Sequence, residues 1–373
     1  MHDFVDYKVI DQKITSISST LNVNVLFYIT PQNLDGEKKK FFEELKNGNI
    51  YNPKFIYPSK NPLFNYFSMK PSFDTYKNEL TELIKNLNNE PFGILCENKI
   101  LDLLEKMELI KSIGTPNFAE NSIEFFGDPD KKIVKLAIEQ MNVPIKKQNE
   151  NKITTDLAVK TIKSYFKKKK LKYKIVFRDH GTSQFSVNPQ LKVLYISNDV
   201  KFTDVLLKRL IMHEIQTHLF RYENALLQPY SIFSFGGSKI ATETEEGLAV
   251  TVEKLADLQV DEQLKVYAGR VLAINLAKKK SFYDTFEALT QFFSDDDAFR
   301  LTLRAKRGVF KQYEAGAFTK DLLYFKGKFL VEDYLKDNPI EDLYYGKHGV
   351  EETYLIKQVD GIKKPKYLPE IEK

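Results

Sequence analysis

Cysteine is nearly absent from this chain of 373 residues: Cys96 stands alone. A single thiol excludes an intramolecular disulfide framework and any zinc site built from several thiolates, and it fits a reducing compartment. No stretch approaches the roughly eighteen consecutive apolar residues of a membrane-spanning helix, so no membrane partner is expected. The opening Met1-His2-Asp3-Phe4-Val5-Asp6 is acidic and leads into no apolar run. No signal peptide is therefore expected, and the cytoplasm is the expected location. Charge imbalance is also small, a net +5 from 56 basic and 51 acidic side chains. The lysine runs at 38–40, 167–170 and 278–280 read as solvated helix ends, with contact to an acidic partner surface as the alternative. No nucleic-acid-binding signature accompanies them, so nucleic acid is not an expected partner. Internal repeats and low-complexity segments are missing too.

What is present is apolar and aromatic. The hydrophobic fraction is 42%, with 28 Phe and 20 Tyr, which marks a folded chain with ample core, either one large domain or two packed ones. The first 150 residues read as helices, near 5–20, 37–46, 73–88, 98–112 and 130–141, with a strand or buried segment at 22–29. In the fourth of these helices Ile100, Leu103, Leu104, Met107 and Ile110 form one apolar stripe. Pro53, Pro58, Pro62 and Pro71, with aromatics between them, make 51–71 an ordered loop pressed on the core. The polar stretch 143–153 carries Pro144 and reads as a boundary. It divides a helical N-terminal region, 1–150, from a second part, 151–373. That part opens with a helix near 155–169 and strand-like runs at 173–177, 184–187 and 192–197. Turns at Asp179-His180-Gly181 and Asn188-Pro189 separate the runs, as in a small antiparallel meander. The expected class is α+β and mostly helical, with a tail that is loose from Lys363.

The chemistry gathers in His213-Glu214-Ile215-Gln216-Thr217-His218. Thr203 is a good N-cap for the helix that carries it, Asp204 complements the helix dipole, and Phe202 with Leu207 forms a hydrophobic staple. Two imidazoles and a carboxylate hold a metal in zinc hydrolases, and a further carboxylate handles protons. Residues five apart on a regular helix point about 140° away from each other, against about 40° for residues four apart. Convergence on one metal therefore predicts a π-type bulge at 215–217. A second acidic cluster, Glu243-Thr244-Glu245-Glu246, supplies the remaining carboxylate. Thr242 and Glu245 read as a capping box, which leaves Glu246 for the metal, and Gly247 lets two helices approach closely. Glu253, one heptad beyond Glu246, is either a partner to the metal ligands or a surface salt bridge.

These blocks carry a resemblance. His213 to His218, Glu245-Glu246-Gly247-Leu248-Ala249, Arg304-Ala305-Lys306-Arg307-Gly308 and Gly316-Ala317-Phe318-Thr319-Lys320-Asp321 with Tyr324 and Gly327 resemble a family named for a Gln-Glu-Gly-Leu-Ala motif. Asn52-Pro53 with Phe55 and Tyr57 resembles that family's N-terminal aromatic segment. Its bacterial members are labelled flavohemoglobin expression-modulating proteins. Its animal members are the microtubule-associated tyrosine carboxypeptidases, which remove the C-terminal tyrosine of α-tubulin. Gln216 stands where the tubulin enzymes have glycine, and Glu245 stands where the naming glutamine would be.

The resemblance implies a zincin-like catalytic domain with His213, His218 and Glu246 as Zn2+ ligands and Glu214 as general base. The expected activity is zinc carboxypeptidase action on a protein or peptide C-terminus, releasing an aromatic, tyrosine-like residue. The alternatives are a zinc endopeptidase or aminopeptidase, and a non-catalytic regulatory protein with a structural zinc site. A carboxypeptidase needs a cation for the substrate's terminal carboxylate. The candidates are Arg304, Lys306, Arg307, Lys320 and Arg221, with Arg304 and Arg307 preferred because they lie in a family-like block, and a structural salt bridge is the alternative for each. Tyr230 and Tyr324 are candidate oxyanion donors. Asn224 and Gln228 either orient the site or cap a loop, and His180 and His348 have no partner pattern.

Overall fold

The computed structural model describes residues 6–21, 25–58, 73–145, 150–178, 184–235, 238–258 and 260–371. Pro62, Pro71, the turn at 179–181 with His180, and Gly236-Gly237 lie outside them. The chain is mostly helical with one three-stranded sheet, an α+β protein. Among the described residues no helix is long and apolar enough to cross a membrane.

Two compact units are interleaved along the chain. The first comprises Met1–Val143, Gly237–Lys239 and Glu262–Lys326, and the second Pro144–Gly236, Ile240–Asp261 and Gly327–Lys373. A partition at residue 150 by function is a separate matter, which compactness does not decide.

In the first unit, the helix Tyr7–Thr20 is capped by Asp6, whose side chain accepts from the Lys8 and Val9 amides. Ile10, Ile14 and Ile17 share its buried face. The strand or buried segment expected at 22–29 is a short helix, Val25–Tyr28, where described. A four-residue apolar run cannot by itself distinguish the two forms. The helix Pro91–Lys111 starts with proline at its first turn, where the missing N–H has no intrahelical partner to lose. Phe41 packs edge-on against Phe282, Phe286 and Phe299, the arrangement that ring quadrupoles favour. The residues 51–58 form no regular element. They are pinned by Asn52, which accepts from the Tyr283 amide at 2.9 Å, and by Tyr57, which accepts from the Gly308 amide at 3.0 Å.

In the second unit, Thr154 caps the helix Thr155–Lys168. Strands β1 (Lys174–Arg178), β2 (Phe185–Asn188) and β3 (Val193–Ser197) follow. Their order is β1-β3-β2, with β1 parallel to β3 and β2 antiparallel to it. The sheet is therefore mixed, and the expected antiparallel meander is corrected. β3 pairs on both sides, and four of its five residues are buried, so its apolar run marks a central strand. Leu194 and Ile196 join Phe166, Leu210, Ile215, Leu219, Leu248 and Val252 in one core cluster.

The tail is not loose where it is described. Asn224 accepts from the Lys366 and Tyr367 amides, both at 2.9 Å, and donates to the Tyr367 carbonyl at 2.8 Å. Gln228 bonds both backbone groups of Lys363, and Gln216 accepts from the Glu370 amide at 2.5 Å. These partners lie far apart in sequence, which is why charge and irregularity alone read as slack.

Candidate metal centre

The motif helix begins as its sequence dictates. The Thr203 hydroxyl accepts from the Leu206 amide at 3.1 Å, and Phe202 and Leu207 are buried. Asp204–Leu210 is α-helical, Ile211–Leu219 is a π-helix, and Phe220–Ala225 returns to α. The bulge is thus present and longer than the three residues expected. Hydrogen bonds that reach five residues back widen each turn, so His213 and His218 return to one face, with ring centroids 5.1 Å apart. The Thr217 hydroxyl donates to the Met212 carbonyl at 3.0 Å, occupying an acceptor in the widened stretch.

Glu246 arrives from the helix Lys239–Leu255. That helix starts before Thr242, so the expected capping box is corrected: Glu245 lies inside the helix and does not cap it. Gly247 allows a close approach to Gly327, since a Cβ added at Gly247 would lie 2.1 Å from the Gly327 carbonyl carbon. His213, His218 and Glu246 each offer one donor atom, and the three atoms lie within 4.8 Å of one another.

Each histidine is gripped from behind by its own carboxylate. His213 Nδ1 lies 2.7 Å from Glu253 Oε1, and Arg209 Nε donates to the other oxygen of Glu253 at 3.0 Å. His218 Nδ1 lies 2.6 Å from Glu245 Oε1. Lys347 donates to Glu245 as well, and Arg221 stands 3.7 Å from it. A carboxylate fixes the Nδ1–H tautomer and turns the Nε2 lone pair outward. Two imidazole nitrogens and one carboxylate oxygen are a donor set that fits a catalytic zinc ion.

Burial favours neutral forms here, but the ion pairs prevail for the carboxylates. Although burial pushes Glu245 up, Lys347, His218 and Arg221 hold it well below the usual carboxylate range. Glu253 is lowered likewise, with His213 and Arg209 outweighing burial. Burial depresses His213, yet the Glu253 hydrogen bond and the charges of Glu253, Glu214 and Glu246 raise it to about 9. Glu214 is half-buried, and among the described residues its carboxylate has no hydrogen bond or ion pair that would hold it elsewhere.

The other candidates are placed as follows. Arg221 is fully buried (0% exposed); its Nε donates to the Leu343 carbonyl at 2.9 Å and its Nη2 to the His348 carbonyl at 2.5 Å. It braces Glu245 and has no surface to offer a substrate. Lys306 is buried too and donates to the Lys280 carbonyl at 3.1 Å and to the Glu314 carbonyl. Arg304 and Arg307 belong to the first unit, where both face Asp321. Lys320 is half-buried beside them in sequence. Tyr324 stacks on Tyr267 at 5.3 Å, whereas Tyr230 precedes the short turn Ser231–Ser234 of the second unit. Sequence reasoning did not find Lys347, Arg209 or the role of Glu245. No local signal marks them, because their partners lie 27 to 102 residues away.

Fold and site together define a helical α+β protein with a three-donor metal-type cluster, two donors on a π-helix and the third on the helix Lys239–Leu255. The chain belongs to the microtubule-associated tyrosine carboxypeptidase family, whose model matches residues 41–373. It is 32% identical over 127 residues to mouse microtubule-associated tyrosine carboxypeptidase 1. It is 33% identical over 126 residues to mouse putative tyrosine carboxypeptidase MATCAP2, and 32% identical to the human protein of the same name. Each alignment covers 32% of this chain, but only 26% of the first relative and 24% of the other two.

Proposed function

We propose that this protein is a zinc carboxypeptidase that hydrolyses the C-terminal peptide bond of a protein or peptide, releasing an aromatic, tyrosine-like residue. The observation that carries the reading is the convergence of His213, His218 and Glu246, with each histidine's second nitrogen engaged by a carboxylate. The names of the relatives support the choice of carboxypeptidase. The block Glu245-Glu246-Gly247-Leu248-Ala249 also supports a kinship with the family named for Gln-Glu-Gly-Leu-Ala.

His213, His218 and Glu246 would hold the zinc. When bound, the ion polarises a carbonyl and brings the pKa of water to about 7. Glu214 accepts the attacking water's proton and returns it to the departing amine. Glu245 and Glu253 would hold the two imidazoles through Nδ1 and leave Nε2 of each facing the ion. A cytoplasmic setting suits a chain whose single cysteine is free and buried.

The test compares one tyrosine-ended peptide with a free and with an amidated C-terminus. Release of tyrosine from the free acid alone is expected, with a loss of about 100-fold or more in Glu214→Gln. Equal cleavage of both peptides would contradict the carboxypeptidase reading and leave an endopeptidase.

A further inference from the structure

Within the second unit, residues 363–371 form no regular element, yet they lie along the helix that carries the two histidines. They are bonded to it at three levels. Gln216 Oε1 accepts from the Glu370 amide at 2.5 Å. Asn224 accepts from the Lys366 and Tyr367 amides and donates to the Tyr367 carbonyl. Gln228 takes the amide and the carbonyl of Lys363, each at 2.9 Å. Between these levels the Phe220 and Tyr367 rings lie 5.3 Å apart. Positions 216, 220, 224 and 228 recur every four residues and so make one stripe, and the segment runs antiparallel to it.

The segment is suited to this course. It reads Lys363-Lys364-Pro365-Lys366-Tyr367-Leu368-Pro369-Glu370-Ile371. Proline has no amide hydrogen and keeps the residue before it extended, and neither proline falls where the helix draws an amide. The segment is also anchored away from the motif helix. The Glu370 carboxylate accepts from the Tyr165 hydroxyl at 3.2 Å and pairs with Lys168 at 3.2 Å and Lys169 at 2.8 Å. Tyr367, Leu368 and Ile371 pack against the core cluster of this unit.

Gln216 is 2% exposed and sits between His213 and His218 inside the π-helix, whereas Phe220 and Asn224 belong to the α-helix that follows. An α-helix turns about 100° per residue, and a π-helix turns less. Loss of the π form would therefore rotate Gln216 against Phe220 and Asn224. A hydrogen bond does not survive a displacement on the order of an ångström, and the anchored segment is not free to follow. An uncommon helix form persists where its surroundings over-determine it.

We propose that residues 363–371 are a strap that keeps the motif helix in its π form, with Gln216 as the positioning residue through which the strap sets the spacing of His213 and His218. The conformational role stands on these contacts. Only its consequence for a metal ion rests on the reading of both histidines as ligands.

The experiment uses the full chain carrying Gln216→Met, which keeps the length of the side chain and loses the acceptor. Amide hydrogen exchange is followed without metal. Binding is then titrated with Co2+, a stand-in for zinc whose visible absorption depends on ligand geometry. Exchange at 211–219 should quicken about tenfold, with the strands 174–178 and 193–197 unchanged. Co2+ affinity should fall about tenfold, with an altered spectrum at saturation. Asn224→Ala loosens the strap without touching the π-helix; it should act in the same direction, and it serves if Gln216→Met does not fold. Unchanged exchange at 211–219 in the folded variants, or equal quickening across the whole second unit, would overturn the strap. Faster exchange with the same Co2+ affinity and spectrum would overturn its hold on the histidines. Failure of the metal reading shows separately, as no Co2+ binding by the unsubstituted chain, and exchange alone then decides the strap.

Discussion

Glu253 and Glu245 do for His213 and His218 what two imidazoles cannot do for themselves. Each binds Nδ1 and so fixes both ring rotation and tautomer. Each is in turn held ionised by cations, Arg209 for one and Lys347 with Arg221 for the other. Glu253→Gln keeps a hydrogen-bond acceptor but loses the charge. Zinc affinity measured by chelator competition should fall by about 10- to 100-fold, with little change in folding. An unchanged affinity would reduce Glu253 to a structural salt bridge. At this scale the sequence was partly legible. The donors His213, His218 and Glu246 stood out by type and spacing, and Glu253 by its heptad offset. Glu245 was misread as a cap because a Thr-x-x-Glu pattern looks the same at a helix start and within the first turns of a helix that begins earlier. Arg221 had the right charge, but only tertiary contact reveals that it is buried.

Two helices have to be unusual for the donors to meet. The first is the π-helix Ile211–Leu219, and its widened turn is what a five-residue histidine spacing demands. That spacing is written in the sequence, so the bulge could be read from it. The second is Lys239–Leu255, which passes Gly327 of the helix Leu322–Tyr334 at a distance only glycine permits. Gly247→Ala puts a methyl group against the Gly327 backbone. It should destabilise the protein by about 3 kcal/mol in denaturant unfolding and shift Glu246, its chain neighbour. Wild-type stability in that variant would mean that the two backbones part at no cost. The sheet was less legible. Three short apolar runs announce three strands, but which of them lies in the middle is decided by long-range pairing, and the pattern does not contain that information.

Over the whole molecule, buried charge makes stability depend on pH. Asp321 is pushed up by burial, but Arg304, Arg270 and Arg307 together hold it far below its ordinary value. A carboxyl group whose folded pKa is depressed stabilises the fold at every pH above its unfolded value, about 3.9. That contribution shrinks as pH falls below this value, because protons then bind the unfolded chain first. Asp321→Asn should therefore be less stable than the parent at neutral pH, by about 3 to 5 kcal/mol as for other broken buried pairs. The gap should narrow as unfolding is measured below about pH 4. A gap independent of pH would show that packing, not charge, is what Asp321 supplies. The composition made a large helical chain with an aromatic core legible. It gave no sign that residues 262–326 pack with the first 143, since the chain's return to an earlier unit is not marked by any change in periodicity.

The account depends most on the three converging donors, and metal content tests it most directly. Full-length protein purified without chelator and analysed by mass spectrometry should contain about one zinc ion per chain, or take it up when zinc is added. His218→Ala and Glu246→Ala should each lose most of it. No divalent metal before or after zinc addition, or equal zinc in all three proteins, would contradict the account.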